Sequence, residues 1–156
     1  MIRIDEAPFD PADCTTWLEA DAPQIGAVCT FTGLARDYGD RESVNGLYLE
    51  HYPGMTENAI QGVIDEARAR WPIQAVEVRH RVGQIMPGER IVFVGVSSSH
   101  RREAFEACEF IMDFLKTRAP FWKKELTKDG EIWVEQKESD RLSAARWQGS
   151  GEDGVG

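Results

Sequence analysis

The helix that follows Ser97-Ser98-Ser99 restricts the fold more than any other stretch of the chain. An apolar run, Ile91 to Val96, ends in those serines, and Ser99 is suited to cap a helix from about His100 to Thr117. At about 100° per residue, Ala104, Phe105, Ala107, Cys108, Phe110, Ile111, Met112, Phe114 and Leu115 cover well over half of its circumference. Such a helix must be buried, so other elements have to wrap around it. Arg102, Glu106, Glu109, Asp113 and Thr117 mark a narrow wet face.

The same stretch places cations where helix design avoids them. His100, Arg101 and Arg102 crowd the first turn, where the free N–H groups and the dipole already carry partial positive charge. An anion sharing that end resolves the conflict. Near the other end, Lys116 falls at the border of the apolar arc. A lysine there either snorkels to water or is partly desolvated, which lowers its pKa and makes it a better base. Lys116, Arg118, Lys123, Lys124 and Lys128 form a basic island of net +4 between Phe114 and Lys128, in a chain of net charge −9. That contrast points to a small anionic ligand. It also excludes DNA or RNA as the main partner, since phosphate backbones need a broad basic surface.

The 156 residues suffice for one domain with its own core. No run approaches the roughly 18 apolar residues of a membrane span, and MIRIDEAPFD lacks a signal-peptide apolar core, so a cytoplasmic protein without a membrane partner is expected. Asp10-Pro11 reads as a helix entry. Ile25 to Phe31 alternates as a strand, Gly33 opens the loop GLARDYGDRES, and a second strand runs from about Val44 to Tyr52. Ala59, Ile60, Val63, Ile64, Ala67 and Trp71 stripe a helix ending at Pro72. Val76, Val78, His80 and Val82 oppose Glu77, Arg79 and Arg81 in a half-buried strand that pairs with Arg90 to Val96. Phe121-Trp122 serve as anchors after Pro120, Ile132 to Glu135 is a short strand, and Ser139-Asp140 caps a last helix. The fold class is α+β, a mainly antiparallel sheet with packed helices in a single domain over 1–147, and 148–156 is a disordered polar, Gly-rich tail.

Few constellations compete for the chemistry. His51, His80 and His100 match no zinc spacing, so neither a metal nor another cofactor is expected, and His80 reads as a core histidine. Cys14, Cys29 and Cys108 form no CxxC pair, and neither Cys29 nor Cys108 is placed like a reactive thiolate. The serines 97 to 99 suit capping better than nucleophilic catalysis, and no phosphate-binding glycine loop is present.

FTGLAR (Phe31 to Arg36), LEHYPGMTE (Leu49 to Glu57), VGVSSSHRREAFEA (Val94 to Ala107) and FLKTRAPFWKKE (Phe114 to Glu125) together resemble the large, catalytic subunit family of molybdopterin synthase. The resemblance spans about residues 1 to 147 and implies an α/β hammerhead-like fold. It implies conversion of cyclic pyranopterin monophosphate to molybdopterin, with sulfur from a thiocarboxylate on the C-terminal Gly-Gly of a small ubiquitin-like partner. It also implies a homodimer within a heterotetramer. On this reading Lys116 acts as general acid/base or polarises the carbon under attack, Lys123 stabilises charge, and Arg36, His100 and Arg101 hold the phosphate. By resemblance Leu34, Ala35, Lys124 and Glu125 also line the substrate site. Phe31, Met112 and Phe121 wall the pterin or the tail, though each also reads as core. Two rivals stay open: a non-catalytic module binding a ubiquitin-like C-terminus or a small phosphorylated ligand, and a lysine enzyme forming a Schiff base.

Overall fold

The computed structural model describes residues 1–36, 44–127, 130–134 and 138–148. In chain order the elements are β1 (Ile2–Asp5), α1 (Pro11–Leu18), β2 (Ala27–Leu34), β3 (Val44–His51), α2 (Met55–Arg70), β4 (Ile73–Arg81), β5 (Gly83–Ile85) and β6 (Arg90–Ser98). They continue with α3 (Arg101–Arg118), β7 (Phe121–Thr127), β8 (Gly130–Val134) and α4 (Glu138–Ala145). Two four-stranded sheets result, ordered β1-β4-β6-β2 and β5-β3-β7-β8. All neighbours are antiparallel except β1, which runs parallel to β4.

The α+β, mainly antiparallel reading holds, with corrections. Two sheets replace the single expected one, and β1, β5 and β7 are strands the sequence pattern does not announce. The last helix begins at Glu138, ahead of Ser139-Asp140. The predicted tail from 149 onward and Lys128 lie outside the described residues.

The first sheet is covered on both faces. On one, Val76, Val78, Val92, Val94 and Val96 meet Ile60, Val63, Ile64 and Ala67 of α2 and Ala107, Phe110, Ile111 and Phe114 of α3. Each of the valine, isoleucine and phenylalanine side chains contributes about 1.5–3 kcal/mol by leaving water. On the other face, Cys14 and Leu18 of α1 close over Phe93, with Phe9 alongside. Gly95 makes that closure possible, because a Cβ there would collide with Leu18. This second layer corrects the half-buried reading of β4: Glu77 is fully buried, its Oε1 paired with Arg79 at 2.7 Å.

α3 is held at its middle and at its C-terminal end. Arg118 stacks over Phe114 at 4.0 Å and donates two hydrogen bonds to Glu66 of α2, at 2.8 and 2.9 Å. Trp147, just past α4, donates to Asp113 at 2.6 Å while its ring meets Trp71 and Phe110 edge-on. Two of the five tryptophans are thereby committed to the core, whereas Trp17, Trp122 and Trp133 stay exposed. Among the described residues no helix is long and apolar enough to cross a membrane.

Candidate active site

β6 carries its strand through Ser97 and Ser98, both fully buried, instead of releasing them to cap the helix. Ser97 Oγ accepts from the Ala75 amide at 3.1 Å, and Ser98 Oγ donates to the Pro72 carbonyl at 2.7 Å. Ser97 and Ser98 are therefore committed to backbone contacts and cap no helix. α3 starts one residue later than expected, with His100 in the N-cap position (φ −132°, ψ 149°) and no side-chain cap bond. His100 and Arg101 are both exposed.

Lys116 lies in the last turn of the same helix. Sixteen residues at 1.5 Å each separate it from His100 by about 24 Å, so one chain cannot bring both into one pocket. Arg36 falls with Lys116: Leu34 pairs with Arg90 at the start of β6, whereas His100 follows Ser98 at its end. The expected phosphate triad of Arg36, His100 and Arg101 is therefore split between opposite ends of the first sheet. Lys116 is also exposed, which decides between the two readings of this border lysine in favour of snorkelling to water.

The Lys116 end sits where the two sheets meet. Ala35, buried, is pinned by a hydrogen bond from its amide to the Glu89 carbonyl (2.8 Å) and by one from the Gly88 amide to its own carbonyl (2.7 Å). It packs with Leu47, Leu49 and Ile85, and so holds exposed Arg36 beside the second sheet. Lys123 lies opposite Leu49 in the β3–β7 ladder and is half-buried. Phe121, two residues earlier and hence on the same face, stacks on His80 of β4 at 3.9 Å, with planes 17° apart. His51 of β3 meets Phe121 at 6.4 Å, and lies 3.8 Å from Glu57. The intervening turn is tied down by Thr56, whose hydroxyl donates to the Pro120 carbonyl at 3.3 Å and accepts from the Tyr52 amide at 3.2 Å.

His80 is the residue that sequence reasoning undervalued. Its Nδ1 lies 2.8 Å from the Arg81 carbonyl, which selects the tautomer with the proton on Nδ1. Burial pushes its pKa down to about 4, against the Arg81 hydrogen bond and helped by the positive charges of Lys116 and His51. A neutral imidazole therefore stands within electrostatic reach of Lys116. Its place on the apolar face of a strand is visible in the sequence; its ring partner, 41 positions downstream, is not.

The remaining predicted residues divide. Phe31 and Leu34 are largely exposed on β2, and Met112 is half-buried against the main core. Strand alternation turns Lys124 to the outer face of the second sheet, where its Nζ lies 4.4 Å over Trp133 and 3.8 Å from Glu50. The backbone of Glu125 pairs with Leu47 and Ile132, and its side chain lies outside the described residues. Among the described residues no group of three His, Cys, Asp or Glu side chains is placed to hold a metal. Cys108 is pushed up by its hydrogen bond with Cys29 and by burial. That bond brings Cys29 down to about 7 against desolvation.

The family model described as "MoaE protein" matches residues 4–118. The chain is 55% identical over 146 residues to the molybdopterin synthase catalytic subunit of Escherichia coli (strain K12), covering 94% of this chain and 97% of that one. To the Pseudomonas aeruginosa subunit of the same name it is 52% identical over 147 residues, covering 94% and 98%. Among solved structures it is similar to the molybdopterin biosynthesis MoaE protein of Burkholderia ambifaria, with TM-score 0.81, 47% identity, and 95% and 97% of the two chains covered. The fold also matches a Helicobacter pylori complex of subunits 1 and 2 of molybdopterin-converting factor, with TM-score 0.73, 21% identity, and 87% and 91% covered.

Proposed function

The chain belongs to the MoaE protein family, the catalytic subunits of molybdopterin synthase in molybdenum cofactor biosynthesis, and from that premise we propose the chemistry of its site. Sulfur passes from the C-terminal thiocarboxylate of a small ubiquitin-like partner to cyclic pyranopterin monophosphate, twice per molybdopterin. In each transfer the thiocarboxylate sulfur bonds to a substrate carbon whose bond to oxygen breaks, and water then cleaves the acyl–sulfur bond, which leaves the sulfur on the pterin and the tail as a carboxylate.

What supports this reading is that Arg36, Lys116 and Lys123 all belong to the end of the molecule where the second sheet meets the first, in a chain that is acidic overall. Both reactants are anions, so local cations gather them and stabilise the charge that develops as sulfur adds. Lys116, exposed at the helix end, is accessible as general acid/base, and Lys123 on β7 stabilises the developing charge. By family resemblance Leu34, Ala35, Glu125 and Lys124 also belong to the substrate site, Lys124 from the face of β7 opposite to Lys123, with Phe31, Met112 and Phe121 as walls.

His100 and Arg101, about 24 Å from Lys116 along α3, take part only if a second copy presents them. We infer that the homodimer completes each site in this way, with one small subunit at each end of the assembly.

The test is single-turnover transfer from a thiocarboxylated small subunit to cyclic pyranopterin monophosphate, with binding measured separately. Product should form with the wild type and be lost in Lys116→Ala, while both partners still bind. A wild-type protein that binds the tail and yields no product would replace this reading with that of a binding module.

A further inference from the structure

Lys116 and Lys123 sit on different layers of the fold, one on a helix packed on the first sheet and the other on a strand of the second. Only Thr117 to Trp122 separates them in sequence. What fixes their mutual spacing is whatever this short connection docks upon. Its one aromatic residue on the inner face is Phe121, whose ring lies flat on His80 of the first sheet and tilted against His51 of the second.

The His80 ring is immobilised on three sides. Nδ1 is bound to the Arg81 carbonyl at 2.8 Å, Ile4 and Val92 flank His80 on the neighbouring strands, and Phe121 covers its face. Arg81 is itself anchored to Glu89 at 2.8 Å, on the turn whose backbone holds Ala35 and hence Arg36. The support under Phe121 and the mount of Arg36 are therefore one connected piece.

We propose that His80 is a positioning residue for sulfur transfer, its ring serving as the plate that seats Phe121 and thereby sets the spacing of Lys116 and Lys123. This rests on the sulfur-transfer reading above. A plate beside a lysine must be uncharged, since an imidazolium would repel the ammonium it helps to place. Burial, with the charge of Lys116 adding to it, keeps this ring neutral at physiological pH. Misplacement by an ångström costs up to about a hundredfold in a reaction that depends on orientation.

Single-turnover transfer from the thiocarboxylated small subunit to cyclic pyranopterin monophosphate tests the idea, with calorimetric binding of the small subunit alongside. His80→Ala should slow transfer by about ten- to a hundredfold, with affinity for the small subunit held within about twofold. His80→Phe, which restores a plate without either nitrogen, should return the rate to within about threefold of wild type. Phe121→Leu should reproduce the loss, and the double variant should be no slower than the slower single, because both remove one contact. A wild-type rate in His80→Ala, a His80→Phe as slow as His80→Ala, or losses that multiply in the double variant would each overturn the proposal. If His80→Ala does not fold, a fast His80→Phe beside a slow Phe121→Leu supports the plate and the opposite order sinks it. Lys116→Ala, run in parallel, keeps the two readings apart. If it transfers at the wild-type rate, the site assignment falls and His80 with it; if it loses transfer while His80→Ala transfers at the wild-type rate, the inference about His80 alone falls.

Discussion

The two ends of α3 are built on opposite plans. At its C-terminal end, the helix runs into contacts that tie it to the rest of the chain: an ion pair from Arg118 to Glu66 of α2 and, just beyond, a tied-down turn and a ring pair stacked between the two sheets. At its N-terminal end, His100 and Arg101 project from an uncapped first turn, both exposed. One end is assembled within the chain and the other is left open. A rigid helix separating two half-sites suits an assembly in which each copy lends its open end to its neighbour's closed one.

That comparison requires α3 to be a stiff spar, and its middle is where it can be broken. Phe110, fully buried between Trp71, Trp147 and Phe114, joins α2, α3 and α4. Phe110→Ala should cost about 3–5 kcal/mol in urea unfolding. A loss under 1 kcal/mol would mean that the spar is not welded at its centre.

Acid should loosen the closed end first, since it carries the histidine whose pKa burial depresses. The pKa of His80 is about 4 in the fold against an ordinary 6.5. Below pH 6.5 the unfolded chain binds a proton that the fold refuses, so stability falls as pH drops from 6.5 to 4 and then levels for this group. The full span is on the order of 3 kcal/mol. The depressed Glu89 and Glu106 act on the same side but only below their ordinary value of 4.5. Denaturation curves from pH 7 to 4.5 should therefore slope in the wild type and flatten in His80→Phe; equal slopes would assign the acid loss elsewhere.

The sharing of ends between copies is tested by mixing. Lys116→Ala and Arg101→Ala homodimers should each lose about a hundredfold in transfer, equivalent to about 2.7 kcal/mol. Co-refolded together, they should recover about a quarter of wild-type activity, because half of the dimers then hold one intact site made from both chains. No recovery would place both residues in one chain's site, against the helix geometry.

Much of this is legible in the order of residues alone. The apolar arc of α3 announces its burial, and the basic island marks the closed end. β7 escapes because its inner face carries the aromatic Phe121 and the charged Lys123, so it does not alternate apolar with polar as a strand that bears only core does. β1 reads as an ordinary polar start until its parallel partner, more than 70 residues later, is in place. Glu77 looks solvated because nothing local tells that α1 will cover it. The split of His100 from Lys116, by contrast, follows from helix rise alone, and placing both in one pocket overlooks that length.

The smallest effect distinguishes a cap from a ligand site at the open end. Ser99 resembles an N-cap but lies one residue too early, so Ser99→Ala should change stability by no more than about 0.5 kcal/mol. The actual N-cap, His100, makes no side-chain cap bond, and a serine in its place could satisfy an orphan N–H of the first turn. His100→Ser should therefore stabilise the protein by about 0.5–1 kcal/mol in thermal or urea unfolding while weakening transfer. A residue that costs stability where it stands, and costs activity when replaced by a better cap, is held there by an anion and not by the helix. If His100→Ser instead destabilises the fold and leaves transfer intact, the open end is a structural terminus and the division of labour along α3 does not hold.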